Sequence, residues 1–557
     1  MPAAWFNHYD KDVPHTIEYP EAPLWTLLES AAKRYPNQIA LDFMGYTLRY
    51  LDLWKASRKF AQGLVGLGVK PGDRVAIMLP NTPQFVIAFY GTLIAGGIVV
   101  NVNPLYTPRE LKHQLVDSGS ETLVILNLIW PRYQEIASEV PVKRVITTGI
   151  QDCLPFPKNL LYPIKARREG RWVNLPNDPR RSAFKALLQR SAQLETPHAA
   201  KPDDVALLQY TGGTTGLSKG AMLTHRNLMA NTFQSVAWFP GAKDLEGKGV
   251  MLGAIPFFHV YGMTVSMNYA IALGYKNVLL PRPEVEPSIK AIEKHHVTHF
   301  PGVPTMYVGF NNFPGIQNRK VGSVKVCISG AAALPVEVAT RFEELTGGKL
   351  VEGYGLTEAS PSTHCSPIMG LRKKGSIGLP MPGVDAKILG LDMQELPVGE
   401  IGELAVRGPN VMKGYWNKPE ETAKTLMVDW LLTGDLARMD QDGYFYIVDR
   451  KKDMIIASGY NVYPREVEEV LYAHPAVQEA AVVGAPDPYR GETVAAFIVL
   501  KPEFKGKVQQ EEIEQHCRKD LAAYKVPHII EFRDELPKSA VGKILRRELK
   551  EIAAKER

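Results

Sequence analysis

The first third of the chain alternates between helical and strand patterns, and this alternation constrains the fold more than any other feature of the sequence. Helical spacing of apolar residues runs through LWTLLESAAKRYP (24–36) and LWKASRKFAQGLVGLG (53–68). Short β-rich runs bounded by turn residues follow in DRVAIMLP (73–80) and ETLVILN (121–127). Strands that alternate with helices in this way predict parallel sheets in α/β layers.

The longest apolar stretch, FVIAFYGTLIAGGIVV, fits the same architecture. It has 16 residues (85–100) and contains Gly96 and Gly97. A membrane-spanning helix needs about 18 to 20 apolar residues, so we interpret the stretch as helix, glycine turn and buried strand. Residues 1–20 carry acids and prolines where a secretory signal peptide has a basic segment followed by an apolar run.

The composition is that of a globular enzyme. A chain of 557 residues is long enough for about three or four folding units. With 45% hydrophobic and 22% charged residues it is not a disordered chain, and a net charge of +6 gives no reason to expect nucleic acid as a partner. The cysteines form no Cys-x-x-Cys pair, which predicts neither a zinc site nor a disulfide framework and fits the reducing cytosol.

The segment between residues 155 and 195 is locally basic and contains aromatic residues. A basic surface of this kind can rest on anionic lipid headgroups. Runs of charge are more often solvated excursions of the chain, and the sequence leaves both interpretations open. The cations are Lys158, Lys165, Arg167, Arg168, Arg171, Arg180, Arg181, Lys185 and Arg190.

The loop YTGGTTGLSKG runs from Tyr210 to Gly220 and suits a polyphosphate. Its glycines let backbone N–H groups approach an anion, its hydroxyls add donors and Lys219 adds charge. It is not a Walker A loop, because Ser218 precedes the lysine and Gly220 follows it. VALLQY before the loop reads as a strand and AMLTHRNLMANTFQSVAWF after it as a helix, which predicts a strand-to-helix crossover.

A second boundary lies in GYFYIVDRKKDMIIASGYNVYPREVEEVL (443–471), where a strand passes through a charged cluster into another strand and a helix. AAVVGAPD, AAFIVLKP and EEIEQHCRKDLAAYK then form a small α/β unit. The predicted fold is therefore α/β, with a large N-terminal domain of several α/β subdomains (1–450) and a small mobile C-terminal α/β domain (451–557).

Five further motifs follow in order: PFFHVYG (256–262), ISGAAAL (328–334), EGYGLTE (352–358), LLTGD (431–435) and PKSAVGKI (537–544). Together with the loop and the second boundary, these motifs resemble the adenylate-forming superfamily of acyl-CoA synthetases, luciferases and peptide-synthetase adenylation domains. The resemblance covers essentially the whole chain. VGEIGELAVRGPNVMKGYWNKPEET (398–422) and the second boundary look most like bacterial long-chain fatty-acid–CoA ligases.

The resemblance implies a reaction in two steps, with ATP, CoA and Mg²⁺. A carboxylate resists attack by a thiol because it is negative and would have to expel an oxide. Adenylation removes that obstacle: the fatty carboxylate attacks the α-phosphate of ATP, pyrophosphate leaves, and CoA then displaces AMP from the acyl-AMP. The first step depends mostly on positioning and charge stabilisation.

The catalytic residues that the resemblance assigns are Lys543, His259 and Glu358. Lys543 matches the catalytic lysine of the family, a point charge that bridges the carboxylate and the α-phosphate. His259 would place the substrate rather than transfer a proton. Glu358 would hold Mg²⁺, which prefers few carboxylates together with phosphate oxygens and water.

The resemblance also assigns the ATP site. Tyr354 would stack on the adenine, and Asp435 with Arg450 would fix the ribose hydroxyls, with an ordinary salt bridge as the alternative. The full set is Tyr210, Thr211, Gly212, Gly213, Thr214, Thr215, Gly216, Lys219, Gly330, Ala331, Ala332, Gly353, Tyr354, Gly355, Thr357, Asp435 and Arg450.

The C-terminal domain would serve the second step as well. Lys452 matches the hinge position of the family, and Ser458, Gly459 and Tyr460 would line the path for CoA. The sequence departs from the family at Asp429, which stands in VDWLLTGD where glycine is common, and this puts the local turn in doubt.

Several alternatives remain at this stage. A medium-chain or aryl acid–CoA ligase would carry the same motifs, because pocket volume near Met263, Gly302 and Val303 would set chain length. An inactive lipid-binding relative should have lost at least one motif residue.

The histidines of EKHHVTH lack the glutamate of His-Glu-x-x-His, so we expect no zinc there. The sequence leaves open whether the protein forms a homodimer. The expected location is the cytoplasm, with or without contact with the inner face of the membrane.

Overall fold

The computed structural model describes residues 3–211, 218–239, 241–457, 460–487, 491–539 and 542–555. They form two compact units. The first unit comprises the described residues of Met1–Gly212, Ser218–Asp385 and Arg407–Leu431, and the second comprises those of Ala386–Val406 and Leu432–Arg557.

The strands, in chain order, are β1 (Ile39–Phe43), β2 (Tyr46–Arg49), β3 (Arg74–Met78), β4 (Ile98–Asn101), β5 (Thr122–Leu126), β6 (Arg144–Thr148), β7 (Arg181–Ala183), β8 (Val205–Tyr210), β9 (Gly220–Thr224), β10 (Val250–Gly253), β11 (Lys276–Leu279), β12 (Val326–Ser329), β13 (Lys349–Gly355), β14 (Ser362–Cys365), β15 (Leu379–Pro380), β16 (Asp385–Leu389), β17 (Gly402–Arg407), β18 (Gly414–Tyr415), β19 (Leu426–Met427), β20 (Trp430–Met439), β21 (Phe445–Arg450), β22 (Ile455–Ala457), β23 (Tyr460–Val462), β24 (Val477–Asp487), β25 (Gly491–Leu500) and β26 (Ile529–Arg533).

The α-helices, in chain order, are α1 (Thr26–Arg34), α2 (Tyr50–Gly66), α3 (Pro83–Ile94), α4 (Pro108–Ser118), α5 (Trp130–Ile136), α6 (Lys158–Arg168), α7 (Phe184–Arg190), α8 (His225–Trp238), α9 (Tyr269–Ala272), α10 (Val285–His295), α11 (Pro304–Asn311), α12 (Val336–Thr346), α13 (Pro419–Thr425), α14 (Pro464–Ala473), α15 (Gln510–Asp520) and α16 (Arg546–Lys555). None of them, within the described ranges, is both long and apolar enough to cross a bilayer.

The main sheet of the first unit confirms the predicted α/β architecture. Its spatial order is β18-β9-β8-β4-β3-β5-β6-β7, and the strands from β8 to β7 pair in parallel. The 85–100 stretch forms α3 and β4, with Gly96 at φ +83° in the turn between them, as predicted. The predicted helices at 24–36 and 53–68 are α1 and α2.

A second sheet in the first unit has the order β10-β11-β1-β2, and β12 and β13 pair in parallel beside it. His299 bridges β10 and β12 by pairing with Met251 and with Val326. It is buried, and burial lowers its pKa to about 4, so its imidazole is neutral. This histidine of EKHHVTH therefore belongs to the core between two strands.

The predicted strand-to-helix crossover after the phosphate loop is wrong in one respect. Residues Gly220–Thr224 form β9, which pairs antiparallel with β8, so the loop joins the two strands of a hairpin. Helix α8 begins only at His225, where Thr224 and Asn227 form a reciprocal N-terminal cap. The predicted helix starts four residues too early, because the apolar residues of β9 run directly into those of the helix.

The turn at Asp429 has an unusual backbone. Val428 and Asp429 both have positive φ, +44° and +68°, and they connect the antiparallel pair β19 and β20. Such a two-residue turn favours glycine, and aspartate is among the residues that tolerate it best. The departure from the family pattern therefore leaves the turn in place.

The second unit contains a compact α/β layer structure. Its sheet has the order β23-β22-β25-β24, with β26 parallel to β25. Successive residues of β24 face opposite sides: Val482 packs in the core that includes α14 and α15, and Val483 packs in the core that includes α16. The sequence predicted this small α/β unit, and the boundary near residue 450 stays a prediction.

Candidate active site

The carboxyl end of β8 carries the predicted phosphate loop. Tyr210 ends the strand, and its buried hydroxyl donates to Asp117 Oδ2 at 2.7 Å. The Thr211 amide donates to the Lys219 carbonyl at 3.0 Å and closes the base of the loop. Open α/β sheets bind their ligands at the carboxyl ends of parallel strands. The predicted phosphate-binding residues Gly212, Gly213, Thr214, Thr215 and Gly216 lie outside the described residues.

Lys219 is held by an acid and by an aromatic ring. Its Nζ lies 2.7 Å from Glu421 Oε2 and 4.8 Å from the centre of the Tyr415 ring. The lysine side chain is 31% exposed and that of Glu421 is 39% exposed, so the pair is open to water. A phosphate, which carries more charge than one carboxylate, can replace Glu421 at this ammonium.

Glu358 lies in a 3₁₀ turn, Thr357–Ala359, two residues after β13 ends. Tyr415 Oη donates to Glu358 Oε1 at 2.7 Å, and the Met412 amide donates to the Glu358 carbonyl at 2.7 Å. Burial and the Glu358 charge raise the pKa of Tyr415, which keeps the hydroxyl protonated as a donor. The carboxylate is thus oriented by the segment that ends in β18.

Tyr415 therefore joins two of the predicted residues, Lys219 and Glu358, and our sequence analysis missed it. Its position follows from the antiparallel pairing of β18 with β9, which sets Tyr415 opposite Ala221. A signal was available in the sequence, because Tyr415 lies in the segment 398–422, which resembles bacterial long-chain fatty-acid–CoA ligases.

The segment after β12 contains the residues predicted to hold the adenine edge. The Gly330 amide donates to the Gly302 carbonyl at 3.1 Å, and a side chain at Gly330 would meet the Tyr261 ring at 3.2 Å. Ala331 has φ +70°, which L-residues rarely adopt, and it is exposed together with Ala332. Strained backbone of this kind clusters at ligand sites.

Tyr354 lies near the end of β13 between two glycines. Its ring meets that of His364 edge to face, with the centres 5.9 Å apart. Burial lowers the pKa of His364 to about 3, so the imidazole beside Tyr354 is neutral. A side chain at Gly355 would collide with the Pro361 carbonyl, and one at Gly353 would press on a neighbouring methyl at 3.0 Å. Glycine is therefore required at both positions by the close packing of β13 against its neighbours.

His259 precedes a π-helix, Gly262–Asn268, and is half-buried. Its Nδ1 accepts a hydrogen bond from the Tyr261 amide at 3.2 Å, so a neutral His259 carries its proton on Nε2. Tyr261 in turn donates to the Ile328 carbonyl at 2.8 Å and packs against Gly330. The structure thus links His259 to the predicted adenine segment through Tyr261, a residue that the sequence analysis did not single out.

The second unit holds the predicted ribose pair. Asp435 on β20 and Arg450 on β21 are directly opposed in the antiparallel ladder, and Arg450 Nε lies 3.4 Å from Asp435 Oδ1. Asp435 is buried, whereas Arg450 is half-buried. The ladder therefore brings a carboxylate acceptor and a fork of donors side by side, although the two lie 15 residues apart in the sequence.

Lys543 lies within electrostatic range of the same pair. Burial, reinforced by the charges of Arg450 and Arg546, lowers the pKa of Lys543 to about 8, while Asp435 and Asp453 oppose this shift. The lysine sits in a turn in which the Ser539 amide donates to the Lys543 carbonyl at 2.7 Å. Asp435, Arg450 and Lys543, which come from three motifs, are therefore gathered in one place within this unit.

Arg546, three residues beyond Lys543, anchors the turn. Its Nη2 lies 2.6 Å from both carboxylate oxygens of Glu468, and its Nη1 lies 3.5 Å from Asp449 Oδ1. Burial lowers the pKa of Arg546, but the three nearby carboxylates outweigh it and raise the pKa overall. Asp449 and Glu468 lie in the second boundary, but the sequence did not reveal the cluster, because the pairing of Arg546 with Glu468 spans 78 positions.

The predicted hinge and CoA residues are described only in part. The Lys452 carbonyl accepts from Lys550 Nζ at 3.5 Å, and Lys452 is exposed. Tyr460 is 59% exposed and stacks on Tyr524 with ring centres 4.7 Å apart. Ser458 and Gly459 lie outside the described residues.

Comparison with known proteins agrees with the motifs. Residues 28–416 match the family of AMP-binding enzymes, and residues 466–543 match the AMP-binding enzyme C-terminal domain. A long-chain-fatty-acid–CoA ligase of Bacillus subtilis (strain 168) is 50% identical over 551 residues, which are 98% of this chain and 97% of that protein. A ligase of the same name from Escherichia coli O157:H7 is 42% identical over 558 residues, 99% of each chain.

Solved structures share the fold. ATP-bound MatB from Rhodopseudomonas palustris superposes with a TM-score of 0.84 at 29% identity, over 96% of this chain and 99% of that one. The anthranilate CoA ligase AuaEII in complex with anthranoyl-AMP superposes with a TM-score of 0.83 at 26% identity, over 97% and 98% of the two chains. The chain is a member of the AMP-binding, adenylate-forming enzyme family, as its motifs predict.

Proposed function

We propose that this protein is an AMP-forming long-chain fatty-acid–CoA ligase. A fatty carboxylate oxygen attacks the α-phosphorus of ATP, the bond to the β-phosphate oxygen breaks, and pyrophosphate leaves. The CoA thiolate then attacks the acyl carbon, and AMP departs with the electron pair of the broken C–O bond. The observation that carries the proposal is the grouping of Lys543 with Asp435 and Arg450, three motif residues that the second unit places together.

The triphosphate is bound by the loop from Thr211 to Lys219. Lys219 exchanges its carboxylate partner Glu421 for phosphate oxygens, and the Tyr415 ring keeps the ammonium in place. Thr357 donates to the α-phosphate. These contacts hold pyrophosphate while it departs.

The residues present fit Mg²⁺. Glu358 offers one carboxylate, oriented by Tyr415, beside a loop suited to phosphate, and Mg²⁺ is usually held by one or two carboxylates together with substrate phosphates. When bound, the ion would neutralise phosphate charge as pyrophosphate leaves. Glu358→Gln should therefore cripple acyl-AMP formation and leave the fold intact; pyrophosphate release at the wild-type rate would contradict the assignment.

Two groups of residues are assigned to the nucleoside. In the first, the Tyr354 ring and the backbone of Gly330, Ala331 and Ala332 receive the adenine. Ala331 and Ala332 are exposed, and Gly330 is buried against the Tyr261 ring. In the second, Asp435 accepts from a ribose hydroxyl and Arg450 donates to one. Gly353 and Gly355 allow the close packing of β13 that positions Tyr354.

Lys543 stabilises the charge that moves from the carboxylate to the phosphates during adenylation. His259 places the fatty carboxylate, with Nε2–H as its donor. Lys452 is the hinge residue, and Ser458, Gly459 and Tyr460 line the path of CoA in the second step.

The two steps can be separated experimentally. Lys543→Ala should lower adenylation by orders of magnitude and spare thioester formation from supplied acyl-AMP and CoA. Gly459→Leu should do the reverse, because a bulky side chain blocks the thiol without touching the phosphates. Equal losses in both steps for both variants would contradict the separate roles of Lys543 and Gly459, even if the overall ligase reaction were confirmed.

Chain length decides between the main proposal and its alternative. Some relatives carry other names: a feruloyl-CoA synthase of Amycolatopsis is 34% identical over 93% of this chain. AMP release should be measured over acids from acetate to oleate and with aryl acids, in the presence of ATP, Mg²⁺ and CoA. Highest kcat/KM with long-chain acids supports the proposal, and highest kcat/KM with aryl or medium-chain acids supports the alternative. No AMP with any acid would indicate an inactive relative.

The proposed setting is the cytoplasm, where ATP and CoA are available, with peripheral contact with the inner face of the membrane. A long-chain acid partitions into bilayers, so an enzyme that uses it gains from contact with the lipid surface. Formation of a homodimer stays a prediction, which sedimentation equilibrium would test.

A further inference from the structure

Helix α6, in the basic segment, carries large apolar side chains that face solvent. Phe156, just before the helix, is 79% exposed, and Leu160, Leu161 and Ile164 are 62%, 56% and 56% exposed. These four lie within nine residues; outside residues 156–164, no window of nine described residues holds more than two exposed large apolar side chains. Concentrated exposure of this kind marks an interaction surface, whereas single exposed apolar residues are ordinary.

Helix α6 directs its large apolar side chains away from the protein. Asn159, Tyr162 and Ala166 face the protein, being half-buried or buried, and they lie on one side at helical spacing. The opposite side is centred on Ile164, so the apolar side chains project away from the body of the unit. Packing within the chain therefore does not explain why these positions are apolar.

Cations surround the apolar side chains. Lys158, Lys165, Arg167 and Arg168 are all exposed on α6, and Arg171 follows shortly after it. Glu169 is the one acid between residues 156 and 172. Long basic side chains can lie along an apolar surface and extend their charges to the level of phosphate groups. The surface therefore combines apolar insertion with positive charge.

A neighbouring turn extends this surface. Lys158 Nζ donates to the Met44 carbonyl at 3.1 Å, which brings the turn after β1 against the start of α6. Met44 is itself 51% exposed. The apolar side chains thus come from two separate parts of the chain, and the turn widens the surface beyond a single helix.

We propose that Met44, Phe156 and the outer side of α6 form the surface by which this protein docks on an anionic lipid bilayer. We call it the α6 face. The apolar side chains enter the interface while the cations contact lipid phosphates. A second copy of the chain fits less well, because pairing two α6 faces would set cations against cations. The inference deepens the proposed membrane contact and rests on the proposed function only in that a long-chain acid would be met in the bilayer.

Vesicle sedimentation with the full chain tests the proposal. Sucrose-loaded vesicles of phosphatidylethanolamine with phosphatidylglycerol should bind the wild type at low salt, and vesicles of phosphatidylcholine should bind it much less. The triple variant Arg167→Gln, Arg168→Gln, Arg171→Gln should bind the anionic vesicles at least about tenfold more weakly, with the difference shrinking at high salt. The variant Leu160→Ser, Leu161→Ser, Ile164→Ser should also bind at least about tenfold more weakly, and this loss should persist at high salt.

Matched controls lie in the second unit. Leu391 is 97% exposed, and Leu391→Ser should leave vesicle binding unchanged. The triple variant Lys507→Gln, Arg518→Gln, Lys519→Gln removes the same charge from exposed positions and should retain most of the binding. Each variant should also be assayed with a soluble short-chain acid, since an unchanged rate shows that the fold is intact whatever happens with lipid.

Three results would overturn the proposal. One is a wild type that does not bind anionic vesicles at low salt; another is equal loss in the α6-face variants and the controls. The third is self-association without vesicles that the Leu160→Ser, Leu161→Ser, Ile164→Ser variant abolishes, which would assign the face to a dimer. Because vesicle binding is measured without substrates, failure of the ligase reaction would leave this result standing.

Discussion

Tyr415 Oη donates a hydrogen bond to Glu358 Oε1 at 2.7 Å across 57 positions of sequence. The same ring lies beneath Lys219 Nζ at 4.8 Å. Tyr415→Phe removes only the hydroxyl and keeps the ring. We expect KM for Mg–ATP to rise about tenfold, because a hydrogen bond to a charged group contributes about 1.5 kcal/mol or more. Pyrophosphate release over a range of ATP and Mg²⁺ concentrations measures the effect.

A double-mutant cycle with Glu358→Ala decides whether the hydroxyl acts through the carboxylate. In the Glu358→Ala background, Tyr415→Phe should cause almost no further rise in KM for Mg–ATP. If its effect is the same in both backgrounds, Tyr415 acts on something other than Glu358. The melting temperature of each variant should stay close to that of the wild type, which would separate a change in the site from a change in the fold.

The ion pair between Lys219 and Glu421 predicts competition with ATP. Glu421 holds the ammonium at 2.7 Å and also pairs with Lys424 at 3.1 Å. Glu421→Gln removes a competitor and a charge that repels phosphate, so KM for ATP should fall about two- to fivefold. Glu420→Gln is the matched control, since Glu420 is its exposed neighbour and carries the same charge. An equal fall in both variants would indicate a general charge effect.

Periodicity in the sequence was sufficient to predict many helices and strands of the first unit, because local patterns decide local structure. Helices α1 and α2, strands β3 and β5, and the passage from α3 to β4 were all predicted from apolar spacing and turn residues. Strand β9 was not, since five residues of strand that run directly into a capped helix leave no turn signal between them. A Thr-x-x-Asn cap at Thr224 was the available sign of the helix start.

The candidate site was predicted as a set of residue types, and not as a set of contacts. Motifs named Glu358 and Lys219, but their link through Tyr415 depends on the pairing of β18 with β9, which joins residues almost 200 positions apart. Asp435 and Arg450 were predicted as a pair, and the ladder of β20 and β21 opposes them directly. Long-range strand pairing cannot be inferred from local patterns, which is why Tyr415 was missed. Arg546 was missed because its ion pair joins the start of α16 to Glu468 on α14, 78 positions away.

Arg546 should stabilise the second unit. Its guanidinium pairs with Glu468, whose side chain is 12% exposed, so Arg546→Ala leaves a carboxylate that is mostly buried without its cation. We expect a loss of about 3 kcal/mol in local stability, which is about a hundredfold faster hydrogen exchange in peptides from α16 and β24. Arg547 is the matched control in the same helix: it is 60% exposed and pairs with Glu551 at the surface. Arg547→Ala should lower the local stability by about 0.5 kcal/mol or less. Similar hydrogen-exchange rates in both variants would contradict the role of Arg546.

The pKa of Lys543 predicts how adenylation depends on pH. Burial and the neighbouring Arg450 and Arg546 lower this pKa to about 8, against the opposing charges of Asp435 and Asp453. The lysine acts as a cation, and the cation is the protonated form. It is therefore present below pH 8 and is lost as the pH rises through that value. Since kcat/KM for ATP reports groups of the free enzyme, its profile in the adenylation half-reaction should fall with an apparent pKa near 8.

Lys543→Arg tests which group causes this fall. A guanidinium stays protonated throughout the accessible range, so the variant should be slower than the wild type but should lose the descending limb near pH 8. Thioester formation from supplied acyl-AMP and CoA provides the internal control: it does not use Lys543, so its rate should not follow that limb in either protein. If the descending limb persists in Lys543→Arg, then another group titrates near pH 8, and the charge of Lys543 does not limit adenylation in this range.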